Sequence, residues 1–143
     1  MTENAIRQLA PLHLLLVDDD PMAIDIFETH YQQYGFTIET ASDGDQALRL
    51  MEARMPDIVL CDRVMPGLSG AELLKVVRDR SAEPGQEQWR HPIFIFVTAL
   101  SDRRDRYAMM PLCPDAYLTK PIILTEADRI ILDVVNKRRT GNS

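Results

Sequence analysis

The chain has 143 residues, 45% of them apolar and 27% charged, the balance of an ordinary globular domain rather than a disordered or fibrous chain. Sixteen basic against twenty-two acidic residues give a formal charge of −6, which argues against broad nucleic-acid binding, a function that needs a basic face. No apolar run approaches the roughly 20 residues that span a bilayer, and the opening MTENAIRQLAPLH lacks the basic and apolar regions of a signal peptide. The expectation is therefore one cytoplasmic domain with no membrane partner. Cys61 and Cys113 are far apart and read as reduced thiols. His13, His30 and His91 show no metal-ligand spacing.

Residues 1–11 are a short polar lead ending in Pro11, read as a helical turn or a frayed tail. A first strand is predicted over 12–17, then a helix over about 22–34 with Ile24, Phe27 and Tyr31 on one face, stopped by Gly35. A second strand (36–40) leads to a helix over about 45–54 carrying Ala47, Leu48 and Met51. A third strand (58–61) leads to a helix over about 69–79 carrying Leu73, Leu74 and Val77. The polar stretch 80–92, with the sole tryptophan Trp89, is a loop before a fourth strand (93–97). A short polar helix over about 102–110, a fifth strand (116–119) and a helix over about 126–138 complete the pattern. Thr125 with Asp128 three residues on resembles a capping box at the start of that last helix. Strands one, three and four are almost continuously apolar, as strands buried on both faces are. The alternation implies an α/β fold, a five-stranded parallel sheet with five helices on its two faces.

In such a sheet, ligands bind beyond the carboxyl ends of the strands. Strand one ends in Asp18-Asp19-Asp20, strand three in Asp62, strand four in Thr98 and strand five in Lys120. Singly, each has a plain structural explanation: a solvated acidic loop, a turn threonine, an exposed lysine. Together they are a site. Carboxylates within ~4–6 Å repel by about 1 kcal/mol per pair in water and by several at low dielectric, and tolerate this with a cation nearby. An all-oxygen site with few protein ligands suits Mg²⁺. Carboxylates, Mg²⁺, a lysine and a hydroxyl suit a phosphoryl group in transit, and one carboxylate can be its nucleophile.

The segments LLLVDDDP (14–21), IVLCDRVMPGLSG (58–70), FVTA (96–99) and AYLTKP (116–121) resemble the receiver domain of two-component response regulators. The resemblance runs from about Leu12 to Arg138 and implies the flavodoxin-like (βα)₅ fold with strand order 2-1-3-4-5. It divides the chain into a tail (1–11), a receiver (12–138) and a tail or linker start (139–143). It implies that Asp62 accepts a phosphoryl group from a histidine kinase, a phosphotransfer protein or a small phosphodonor. Asp19 would hold Mg²⁺ directly and Asp18 through water, with Asp62 and the backbone carbonyl of Val64 as further ligands. Thr98 and Lys120 would each meet a phosphoryl oxygen. Thr98 and Tyr117 would form the switch to an output face made of the fourth helix, fifth strand and fifth helix. Pro66 and Gly70 would shape the loop after Asp62, and the Lys120–Pro121 bond would be cis.

That face would serve a downstream protein or a fused output domain, and a phosphorylation-dependent homodimer. No direct nucleic-acid binding is expected of the domain itself. The reading is of a phosphoacceptor rather than an enzyme with external turnover. Where the family has a Gly-Ala-Asp turn before strand five, this chain has Cys113-Pro114-Asp115 with Pro111 upstream. Two rivals stand beside this reading. A haloacid-dehalogenase-type phosphatase would use Asp18-x-Asp20, but it would leave Asp62 without a role. A phosphorylation-independent scaffold on the same fold commonly lacks a site residue, and here all are kept.

Overall fold

A computed structural model describes residues 2–65, 67–85, 89–99 and 113–141. Its strands are β1 (His13–Val17), β2 (Thr37–Ala41), β3 (Ile58–Asp62), β4 (Ile93–Thr98) and β5 (Ala116–Thr119). The described helices are α1 (Thr2–Leu9), α2 (Pro21–Gln32), α3 (Gly44–Ala53), α4 (Gly70–Ala82) and α5 (Leu124–Arg139). The helix expected near 102–110 lies outside the described residues, as do Pro66, Leu100 and Pro111. No described helix is long and apolar enough to cross a membrane.

All strand pairs are parallel and the order is β2-β1-β3-β4-β5, the expected one. Alternate side chains of the central strands point to opposite faces and build two cores. Leu14, Leu16, Ile58, Leu60, Ile93 and Ile95 face α1, α2 and α5. Leu15, Val17, Val59, Cys61, Phe94 and Phe96 face α3 and α4. Burial on both sides explains why these strands lack polar alternation, whereas the edge strand β2 (TIETA) has mostly part-exposed positions.

Three local features differ from, or add to, the sequence expectation. The lead forms the helix α1, whose Ile6 and Leu9 are buried in the core beside α5. Arg7 fastens it further, donating to the Gln33 carbonyl at 3.2 Å and lying 4.9 Å over the Tyr34 ring. The Thr125/Asp128 capping box does not form. The helix begins two residues earlier, at Leu124, its N-cap is Ile123, and no side chain caps it. Asp128 is instead buried, accepting from Tyr31 Oη at 2.8 Å and meeting His30 Nε2 at 3.0 Å. A buried carboxylate gains more from two cross-helix partners than from one solvent-exposed cap. The capping box that does form is Ser69 with Glu72 at the start of α4. At the departure before β5, Cys113 takes φ +49°, the left-handed conformation that a glycine would adopt freely. Gly35 stops α2 as expected, at φ +89°.

Candidate active site

Strand register assembles the site. The β1–β3 register sets Val17 beside Cys61, so the next residues, Asp18 and Asp62, emerge side by side. The β3–β4 register sets Asp62 beside Val97, one residue short of Thr98. The β4–β5 register sets Thr98 beside Thr119, so Lys120 follows at the same edge, its amide donating to the Thr98 carbonyl at 2.8 Å. Four strands thus deliver their chemistry to one end of the sheet, as strand-end sites do in open α/β folds.

Asp18, Asp19 and Asp62 each place a carboxylate oxygen within 4.8 Å of the others. Lys120 Nζ lies 3.1 Å from Asp18 Oδ2 and 3.6 Å from Asp62 Oδ2. Asp18 is buried and also accepts from the Asp20 amide at 2.9 Å, which fixes its rotamer. Asp62 Oδ1 accepts from the Val64 amide at 3.2 Å. Burial, then the charges of Asp18 and Asp19, hold the Asp62 carboxyl above its ordinary value, against the Val64 hydrogen bond and Lys120. Burial alone would lower Lys120, but its hydrogen bond to Asp18 and the charges of Asp18 and Asp62 outweigh that and raise it. Lys120 is therefore a fixed cation at neutral pH.

One ammonium does not neutralise three carboxylates. The donor set is entirely hard oxygen, with three side chains and room for water, and so fits Mg²⁺. A cavity of about 410 Å³ opens beside Asp18 and Asp19, walled by Asp25 and Glu28 of α2 and by Ser42 and Gln46. Its acidic lining favours a cation.

The remaining expected residues take other places. Asp20 lies outside the cluster and caps α2, accepting from the Met22 amide at 3.0 Å. This leaves the Asp18-x-Asp20 pair of the phosphatase reading without its second carboxylate. Thr98 is buried at the end of β4. Tyr117 is half-buried on the α3/α4 face, its ring stacked 6.1 Å from Phe96. Val64 is 62% exposed beside Asp62. The Lys120–Pro121 bond is cis, as is Ala10–Pro11. Gly70 closes the loop behind Asp62, where an added Cβ would sit 2.4 Å from the Asp62 carbonyl oxygen. Cys61, whose thiol burial pushes well above its ordinary value, donates to that same oxygen at 3.2 Å. Sequence reasoning named Gly70 only for the loop; that its missing Cβ brings α4 against the strand carrying Asp62 needed coordinates.

Comparison with known proteins agrees with this geometry. The family profile of the response regulator receiver domain matches residues 14–134. A probable transcriptional regulator, ycf27 of Guillardia theta, is 35% identical over 91% of this chain and 47% of its own length. The alkaline phosphatase synthesis transcriptional regulatory protein PhoP of Bacillus subtilis is 28% identical over 87% of this chain and 48% of its own. The chain thus spans about half the length of these relatives. Among solved structures, the receiver domain of a sensor histidine kinase from Pseudomonas aeruginosa PAO1 superposes with a TM-score of 0.75 at 28% identity, covering 89% of this chain and 99% of that one. That structure has a magnesium ion coordinated in its active site cleft. A five-stranded parallel sheet in the order 2-1-3-4-5, three clustered carboxylates with a lysine, and a profile match over most of the chain lead to one assignment: the chain belongs to the response regulator receiver domains of two-component systems.

Proposed function

We propose that this receiver accepts a phosphoryl group on Asp62 from a histidine kinase or a phosphotransfer protein. The observation that carries the reading is the carboxylate triad within 4.8 Å, with Lys120 Nζ bridging two of its members. Asp62 is the triad member at the end of the central strand β3, partly exposed and facing Lys120. A carboxylate oxygen of Asp62 forms a bond to phosphorus while the bond from phosphorus to the donor's leaving atom breaks. That atom is an imidazole nitrogen in a phosphohistidine and a carboxylate oxygen in acetyl phosphate, and the bonding pair leaves with it.

Asp18, Asp19, Asp62 and the Val64 carbonyl would hold Mg²⁺, which neutralises charge on the carboxylates and on the phosphoryl oxygens. Lys120, paired with Asp18 and Asp62 before transfer, turns to a phosphoryl oxygen after it. The Thr98 hydroxyl donates to another. Its shift toward the phosphoryl group opens space that the Tyr117 ring fills, which carries the signal into β5 and α5. The output is read by a downstream protein or a fused domain, since the relatives are about twice as long. Met22 and Ile26 on α2 and Ile123 after β5 are exposed apolar residues on elements flanking the site, and suit docking of the phosphodonor protein.

Intact mass after incubation with Mg²⁺ and acetyl phosphate tests the reading, wild type beside Asp62→Asn. One phosphoryl group on the wild type and none on the variant is the expected result. A phosphoryl group on both would move the acceptor elsewhere. None on either, with donor kinase also present, would favour a phosphorylation-independent scaffold.

A further inference from the structure

At the opposite edge of the sheet, below the amino ends of β1, β3 and β4, lies a second cleft of about 290 Å³. Its floor is apolar, including Leu12 and Val135, and its rim carries Arg90, His91, Arg138 and Arg139. That volume sits at the small end of the range for small-molecule sites, roughly 300–1,000 Å³, and the mix of apolar floor and few polar groups is typical of them.

Two of the rim's three arginine charges are not spent internally. The side chains of Arg90 and Arg139 make no hydrogen bond or ion pair among the described residues. Arg138 donates to the His91 carbonyl at 2.9 Å and reaches Asp115 only at 3.6 Å. His91 Nδ1 is buried and has no hydrogen-bond partner. The one acidic side chain lining the cleft, Asp57, accepts from the His13 amide at 2.8 Å. Basic residues in the last turn of α5 would by themselves answer the helix dipole. Arg90 and His91 come from the loop before β4 and owe nothing to that dipole, yet they converge on the same cleft.

We propose that this cleft binds a phosphorylated small molecule of nucleotide size. Its phosphates would lie against Arg90, Arg138 and Arg139, and its ring over the floor at Leu12 and Val135. Arginine suits this role because its planar fork meets phosphate oxygens in pairs. His91 Nδ1 would gain the hydrogen bond it lacks, from whichever tautomer the ligand selects. The site is separate from Asp62 and does not depend on phosphoryl transfer.

The test uses the whole chain in EDTA, with ADP and pyrophosphate as probes, read by titration calorimetry and by amide shifts at residues 90–93 and 135–139. Saturable ADP binding is expected. Arg90→Ala and Arg139→Ala should each weaken it about tenfold, the scale of one charged hydrogen bond. Both side chains are exposed and make no hydrogen bond or ion pair among the described residues, so both variants should keep the wild-type circular dichroism. Asp62→Asn should bind ADP as the wild type does. Pyrophosphate, lacking a ring, should bind about tenfold more weakly than ADP. No saturable binding, equal affinity in the arginine variants, or loss of binding in Asp62→Asn would each overturn the proposal. Equal affinity for pyrophosphate and ADP would overturn the role of the apolar floor and with it the nucleotide assignment.

Discussion

Removing the charge of Asp62 should stabilise the metal-free protein, although most substitutions at part-buried sites destabilise. Asp62→Asn keeps the shape and the oxygen that accepts from the Val64 amide. It removes two repulsive partners, Asp18 and Asp19 within 4.8 Å, and one attractive partner, Lys120 at 3.6 Å. One net repulsive pair is thus relieved. At about 4 Å such a pair contributes about 1 kcal/mol in water and about 4 kcal/mol at an effective dielectric of about 20. Asp19 is exposed and Asp62 partly so, which selects the lower figure. About 1 kcal/mol raises Tm by about 3 °C in a domain of this size. The sign with pH follows from the raised Asp62 carboxyl, whose cause is burial first and Asp18 and Asp19 next. A carboxyl raised in the folded state stabilises most below its ordinary value and loses that contribution as pH rises through the folded value. The gap between variant and wild type should therefore be near zero at about pH 4 and open toward neutrality. Mg²⁺ reverses the order: at a hundredfold excess over Kd it stabilises the wild type by about 2.7 kcal/mol, and the variant by much less. Thermal melts in EDTA and in MgCl₂, at several pH values, read all of this. A variant that melts below the wild type in EDTA at neutral pH, or an equal Mg²⁺ shift in both, would refute the reasoning.

Further outcomes follow from other contacts. Lys120→Ala frees Asp18 and Asp62 from their counter-ion, so Mg²⁺ affinity should hold or tighten while the phosphorylation-induced change in Tyr117 fluorescence disappears; a large loss of Mg²⁺ affinity would contradict this. Val64 is exposed beside Asp62 and cannot orient an attacking water, so Val64→Asn should shorten the lifetime of the aspartyl-phosphate; an unchanged decay rate sinks that account. Gly70→Ala puts a methyl 2.4 Å from the Asp62 carbonyl and should cost about 1–3 kcal/mol in chemical denaturation; a neutral effect would show that α4 shifts freely. Tyr31→Phe takes one of two partners from the buried Asp128 and should cost about 1–3 kcal/mol; an unchanged melting point would mean the carboxylate is satisfied by His30 alone.

The sequence by itself determined the parts of this protein whose signal is local. Continuous apolar runs such as LLLV and IFIFV can lie only between two helical layers, and the residue after each run is placed at the sheet's carboxyl edge by the strand's direction. Asp18, Asp19, Asp62, Thr98 and Lys120 could be nominated together for that reason, before any distance was known. Gly35 marked the end of α2 because its conformational freedom is a property of the residue itself. Tertiary structure decided whatever depends on a partner distant in sequence. Asp128 looked like a helix cap, but it lies 98 residues from His30 in the chain and beside it in the fold, where burial makes a cross-helix bond the stronger option. The polar lead read as either a helical turn or a frayed tail, and α5 decides between them by supplying the apolar surface that orders Ile6 and Leu9. The cleft of Arg90, His91, Arg138 and Arg139 joins a loop before β4 to the end of α5, two segments nearly fifty residues apart whose charges meet only after the sheet has formed.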